Sequence, residues 1–306
     1  MIKRLDLSSE TKRIWEKIYQ SNSQKVPFLT YNWHQAWFSI LGKQWQPLIL
    51  EIDEAIIAPF ARKNNQIIFS GGDEIADYLD IIGPEKLKTA AWNAIIKEFK
   101  ISGVTTIALR NLPQSSASLS ALKHTATVTQ EDTTPIIALP ASWEEYISAL
   151  NHKHRHELRR KLRKFEFMHQ GTQITQEVAT KENLSDLITL MRLDPNKQSF
   201  LTPQVEHFFL SLPQILANQA EVTTLRVNSQ IAATTVSFTN SSTVFLYNSG
   251  FNEKDFSGAG FYIKAITIKQ TIENGYKTYN FLQGSERYKY ELGGKDFAVY
   301  KIVITL

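Results

Sequence analysis

Residues 243 to 260 read Thr243-Val244-Phe245-Leu246-Tyr247-Asn248-Ser249-Gly250-Phe251-Asn252-Glu253-Lys254-Asp255-Phe256-Ser257-Gly258-Ala259-Gly260. β-branched and aromatic residues dominate as far as Ser249, which predicts a strand, and the Gly-, Asn- and Asp-bearing run after it predicts a loop. From Gly260 the chain reads as a helix to about Asn274. A strand that enters a small-residue loop and then a helix builds an anion site, because unpaired backbone N–H groups and the helix dipole both face the incoming charge. Ser257-Gly258-Ala259-Gly260 lets a backbone approach a diphosphate closely, and Ser257 can cap the helix. The same four residues serve equally as a capped turn without a ligand, and they match neither the Walker nor the dinucleotide fingerprint.

Outward from this stretch, the second half reads as helical from Ser142 to about Met168 and as a strand at Gln173 to Val178. Helices at 182 to 193 and 203 to 218 follow. A hairpin of Val222–Val227 and Ile231–Phe238 turns at Asn228-Ser229. Past the helix come strands at Thr278–Leu282 and Phe297–Ile304. The first half opens with helices at 9 to 20 and from about Asn32. Strands at Leu48–Ile52, Ile56–Ala61 and Gln66–Ser70 follow, then a helix around Trp92, Ile95, Ile96 and Phe99 and strands near 104 to 109, 125 to 129 and 135 to 139. Pro135 and Pro140 interrupt the periodicity, so two domains are expected, 1–138 and 139–306.

Composition narrows the chemistry. The 306 residues, 42% hydrophobic, suffice for two cores, and with no cysteine there is no disulfide, thiolate nucleophile or thiolate metal site. Four of the seven histidines (152, 154, 156 and 169) lie in or beside a basic segment that repels cations, so no metal is expected. No apolar run reaches the roughly 18 residues of a membrane span, and the start lacks a signal-peptide core, which predicts a cytoplasmic protein. Residues 152 to 164 hold seven Lys/Arg against Glu157, a local charge of +6 in a chain whose total is +4. The rest is therefore about −2, which argues for a local anion contact rather than a DNA-coating surface. Leu158, Leu162 and Phe165 recur at helical spacing, so the segment also reads as a solvated amphipathic helix.

The element order from 172 to 304 resembles the GNAT acyltransferase fold, and the two halves resemble tandem GNAT-like domains, an α/β class of mixed sheets. The resemblance implies acyl-CoA (acetyl-CoA) as co-substrate. Tyr247, Asn248 and Ser249 would then flank the thioester, and Ser257, Gly258, Ala259 and Gly260 would hold the pyrophosphate. The loop lacks the usual Arg/Gln start of the GNAT signature. A resemblance to the CelD-like branch, linked to polysaccharide and envelope synthesis, covers nearly the whole chain. It rests on Trp33-His34-Gln35-Ala36-Trp37, Asp77-Tyr78-Leu79-Asp80, Arg155-His156-Glu157-Leu158-Arg159-Arg160, Tyr247-Asn248-Ser249-Gly250-Phe251 and Phe281-Leu282-Gln283-Gly284-Ser285-Glu286-Arg287-Tyr288-Lys289. That branch commonly carries an acid where this chain has Asn280. The layout is also similar to Fem-type transferases, whose late Tyr/Phe-Lys motif looks like Tyr288-Lys289 ahead of Gly293-Gly294.

These resemblances imply a direct acyl transfer to an amine or hydroxyl of a sugar, nucleotide-sugar or envelope precursor. Glu286 is the expected base, beside a salt-bridge alternative. Lys289 is expected to offset oxyanion or phosphate charge, beside the alternative of a surface lysine after a strand, and Tyr247 to place a hydroxyl near the thioester, beside the alternative of simple packing. Arg155, Arg159, Asp77, Asp80 and Tyr288 are the expected substrate contacts, and the first half the acceptor side. For Asp77 and Asp80 the competing role is turn capping, and for Trp33 and Trp37 packing is the expected role. Two rivals stand: an aminoacyl-tRNA-dependent transferase using the basic helix for RNA, and a non-catalytic GNAT-like binding module.

Overall fold

A computed structural model describes residues 1–306, which divide into two compact units, Met1–Thr133 with Phe297–Leu306, and Thr134–Asp296. In chain order the first unit contributes β1 (Ile2–Leu5), α1 (Ser9–Tyr19), α2 (Tyr31–Ile40), β2 (Gln46–Ile52), β3 (Ile56–Lys63), β4 (Gln66–Phe69), α3 (Glu85–Ile101), β5 (Thr106–Pro113), α4 (Ala117–Leu122) and β6 (Thr127–Thr133). The second unit adds β7 (Ile136–Ala138), α5 (Trp143–Ala149), α6 (His152–Met168), β8 (Thr172–Val178), α7 (Lys181–Met191), α8 (Pro195–Phe200), α9 (Pro203–Leu210) and α10 (Leu212–Leu216). It continues through β9 (Ala220–Val227), β10 (Gln230–Thr239), β11 (Thr243–Phe251), α11 (Ala259–Glu273), β12 (Thr278–Asn280) and α12 (Arg287–Glu291). Last comes β13 (Ala298–Thr305).

The first sheet has the order β1-β2-β3-β4-β5-β13-β6, antiparallel except for β4 against β5. The sequence expectation groups all of 139–306 together. The structure differs at the end, where β13 pairs with β5 and β6 of the first unit. Its inward residues Val299, Ile302 and Ile304 find their apolar neighbours there, all nearly inaccessible to solvent. Trp15, Trp33 and Trp92 are fully buried in this unit, and the Trp33 Nε1–H donates to the Gly71 carbonyl at 2.9 Å.

The second sheet runs β7-β12-β11-β10-β9-β8. The β9–β10 hairpin turns where the sequence places it, at Asn228 and Ser229, both with positive φ (48° and 69°), as a tight hairpin matching the strand twist requires. Thr180 and Asn183 form a reciprocal capping box that starts α7. α11 packs across β9, β10 and β11 and is buried on nearly every side, Ala259, Ile263, Ala265 and Ile268 being inaccessible to solvent. No helix is long and apolar enough to cross a membrane.

Candidate active site

β11 carries two irregularities that open the second sheet. Val236 opposes Asn248 while Ser237 opposes Leu246, so Tyr247 is the extra residue of a β-bulge. On its other edge β11 pairs in parallel with β12 only as far as Phe245 and Asn280. There the strands part: β11 continues to Phe251, whereas Phe281 turns to bond its N–H to the Pro135 carbonyl at 2.9 Å. A sheet edge left without a strand must bond elsewhere. Lys197 from α8 supplies part of that need, donating to the Ser249 carbonyl at 2.5 Å and to Asn248 Oδ1 at 3.1 Å.

Across the gap lies the segment Phe281 to Glu286. Asn280 Oδ1 accepts the Leu282 N–H at 2.8 Å, and Leu282 is held at φ 58°, a left-handed conformation that side chains other than glycine seldom adopt. Lys289, buried at the start of α12, holds this strained loop. Its ammonium donates to the carbonyls of Leu282 (3.0 Å), Gln283 (2.5 Å) and Gly284 (3.1 Å) and pairs with Glu286 Oε2 at 2.9 Å. Those bonds use every donor of the ammonium, so Lys289 has none left for an oxyanion or a phosphate. Glu286 is exposed on this segment.

The start of α11 differs in one respect from the expected phosphate cradle. Gly258 adopts φ 89° at the N-cap, and its N–H is donated to Glu253 Oε1 at 2.9 Å; the Ser257 hydroxyl donates to the same oxygen at 3.1 Å. The Ala259 N–H bonds to the Phe256 carbonyl at 3.0 Å. Two of the expected amides are thus committed within the protein. The next two on the first turn, Gly260 and Phe261, have no partner there, and both residues line a cavity of about 390 Å³.

Three side chains of α6, Arg160, Lys161 and Lys164, line the same cavity together with Ser257, Gly258 and Tyr288. The basic segment and the glycine loop, about a hundred residues apart in sequence, therefore face each other. Lys264, which sequence reading did not single out, also lines this space. It is buried, its Nζ lies 4.5 Å from the Tyr288 ring centre and 4.8 Å from that of Phe251, and it donates to the Gly260 carbonyl at 3.1 Å. Burial, helped by the charges of Lys197 and Lys289 and opposed by those of Glu286 and Glu253, lowers its pKa to about 7. Burial likewise pushes the Tyr288 hydroxyl well above the usual phenol range.

The other expected residues fall elsewhere. Tyr247 stacks between Phe238 (4.4 Å between ring centres) and Phe209 (5.4 Å), so its ring is a packing element of the bulge. Arg155 and Arg159 sit one turn apart on another face of α6, beside a separate cavity with Trp143, Ile147 and Arg163. The face turned to the glycine loop is that of Arg160, Lys161 and Lys164. Asp80 does not reach a substrate. It is 1% exposed, and its carboxylate is used up by Lys88 Nζ (2.6 Å), the hydroxyls of Ser116 and Ser118, and the Ile81 N–H at 2.7 Å. Asp77 is half-buried in the same unit. Lys197 and Lys264 were the missed residues. A lysine inside an apolar helical run, as in Tyr262-Ile263-Lys264-Ala265-Ile266, is the one sequence signal that pointed to either.

Residues 152–290 match the family model described as an acetyltransferase (GNAT) domain. No curated protein matches the sequence. Among solved structures, a conserved protein of unknown function from Bacteroides thetaiotaomicron superposes with a TM-score of 0.69 at 14% identity, covering 100% of both chains. FemX follows with a TM-score of 0.66 at 11% identity, over 99% of this chain and 97% of that one. A tandem GNAT protein from the clavulanic acid biosynthesis pathway has a TM-score of 0.52 at 9% identity, over 99% and 97%. At these identities the likeness is one of fold. The chain has the fold of tandem GNAT proteins, and it is within residues 152–290 that it matches the GNAT acetyltransferase model.

Proposed function

We propose that this transferase takes an acyl group, acetyl in the simplest case, from acyl-CoA and passes it directly to an amine or hydroxyl of a sugar, nucleotide-sugar or cell-envelope precursor. The observation that carries the donor half is the 390 Å³ cavity, where two unpaired helix-start amides, Gly260 and Phe261, meet Arg160, Lys161 and Lys164. Free N–H groups and a clustered positive charge are what a diphosphate needs. The acceptor class rests on the likeness to the CelD-like branch alone.

In this reading the thioester lies along the parted edge of β11, beside Asn248 and Ser249. The acceptor nitrogen or oxygen attacks the thioester carbon, the carbon–sulfur bond breaks, and the thiolate leaves with CoA. Glu286 receives the acceptor's proton, and Lys289 positions Glu286 by fixing the loop that bears it. The proton then returns to the thiolate.

Calorimetric titration with acetyl-CoA and CoA tests the donor assignment. Saturable binding is expected, weakened about ten-fold or more in Arg160→Ala/Lys164→Ala and little changed in Arg155→Ala/Arg159→Ala. No heat and no thermal stabilisation with acetyl-CoA, beside steeply salt-dependent binding of tRNA, would replace the acyl-CoA reading with the aminoacyl-tRNA one.

A further inference from the structure

Lys264 is 4% exposed, yet no carboxylate lies within ion-pair distance of it. An ammonium has three donors, and one hydrogen-bond partner is present, the Gly260 carbonyl of its own helix. Two aromatic faces, Phe251 and Tyr288, cover part of the rest. A buried cation left this short of partners is expensive, and protein interiors retain few such groups without a use for them. Its position on the wall of the cavity, one turn past the unpaired amide of Gly260, gives that use a direction.

We propose that Lys264 is the buried anion contact of the donor cavity, that it binds a phosphoryl oxygen, and that it takes up a proton when the phosphate arrives. The proposal deepens the acyl-CoA reading and rests on it for the identity of the donor, though not for the chemistry of the contact.

The charged groups around Lys264 explain why a proton moves. Arg160, Lys161 and Lys164 come from α6, Lys197 from α8, and Lys289 with Glu286 from the segment around α12; Glu253 comes from the loop. Desolvation is the main cause that holds this amine half neutral near pH 7, with Lys197 and Lys289 adding to it and Glu286 and Glu253 opposing it. A phosphate dianion reverses the balance and favours the ammonium. A free phosphate that binds to fixed cations loses its last proton instead. The two mechanisms therefore differ in the sign of the proton count.

The test is calorimetry at pH 8 in buffers of different ionisation enthalpy, with acetyl-CoA and, separately, inorganic pyrophosphate. With acetyl-CoA, whose diphosphate has no proton to lose at this pH, the wild-type protein is expected to take up between about 0.5 and 1 proton per site; with pyrophosphate, which itself loses a proton, its count is expected to exceed that of Lys264→Arg by the same amount. Lys264→Met is expected to bind ten-fold or more weakly with no uptake, and Lys264→Arg to bind without uptake because its charge is permanent. With acetyl-CoA, proton release or a zero count in the wild type, or with either ligand a count equal to that of Lys264→Arg or unchanged affinity in Lys264→Met, overturns the proposal. If Lys264→Met does not fold, the wild-type count and the Arg variant still decide. Pyrophosphate binding with a proton count above that of Lys264→Arg, while acetyl-CoA does not bind, keeps the Lys264 site and removes the acyl-CoA reading. Acetyl-CoA binding without uptake does the reverse.

Discussion

The carboxylate of Glu253 accepts the N–H of Gly258 at 2.9 Å, at the start of α11. A carboxylate there complements the helix dipole as a phosphate would, so the loop supplies its own anion to the helix start proposed for the donor. Glu253→Gln keeps the size and removes the charge. It is expected to tighten pyrophosphate or CoA binding by about three- to ten-fold, through loss of repulsion and of competition for the amide. Isothermal titration at low salt checks this; weaker binding in the variant would mean that Glu253 contacts the ligand favourably.

Lys289 is expected to matter first as a clamp. Lys289→Met strands three carbonyls of the strained segment Leu282–Gly284, at a cost of about 2–4 kcal/mol by the usual penalty for orphaned buried acceptors. Urea denaturation measures that loss, and hydrogen exchange should quicken at Gly284 to Glu286. A stable variant with unchanged exchange would show that the loop holds without the ammonium.

Lys264 links the site to pH. Its folded-state pKa, about 7, lies below the ordinary lysine value of 10.5, so between those values the unfolded chain binds more protons and stability rises with pH. Lys264→Met removes this dependence. The variant is expected to be more stable than wild type near pH 7, by on the order of 3–4 kcal/mol, and the gap should shrink to about 1 kcal/mol or less near pH 10. Denaturation curves at pH 7, 8.5 and 10 give the slope. A gap independent of pH would mean that the buried amine keeps its ordinary pKa.

Asp80 and Lys88 form a pair in which each side chain is 1% exposed. Lys88→Met leaves Asp80 buried with two hydroxyls and one amide for company, which costs about 3–5 kcal/mol when a buried pair loses one partner. Lys88→Met/Asp80→Leu should recover part of the loss. Thermal unfolding of the two variants distinguishes this from a substrate role, under which the Lys88 variant would lose activity while keeping its melting temperature.

Much of the fold was legible because it is written locally. The alternation of Val222–Val227 and Ile231–Phe238 around Asn228-Ser229 specifies a hairpin whatever surrounds it, and the capping box at Thr180 and Asn183 starts α7 from four residues alone. α8 and α12 are short and lack an apolar period, so nothing local announced them, although they carry Lys197 and Lys289. β13 reads as a strand from its own residues. Its place in the first sheet depends on partners at Thr106–Pro113 and Thr127–Thr133, far earlier in the chain.

The same division runs through the candidate site. Sequence alone determined that a strand, a small-residue loop and a helix follow one another at 243 to 274, and that residues 152 to 164 carry a concentrated positive charge, because propensity and charge belong to single residues and near neighbours. Only the tertiary structure decided that Arg160, Lys161 and Lys164 rather than Arg155 and Arg159 meet that loop, that Glu253 takes the Gly258 amide, and that Lys264 is buried with its charge unmatched. Facing, burial and pairing are properties of the packed arrangement, and the desolvation that lowers the pKa of Lys264 exists only once the helix has been covered.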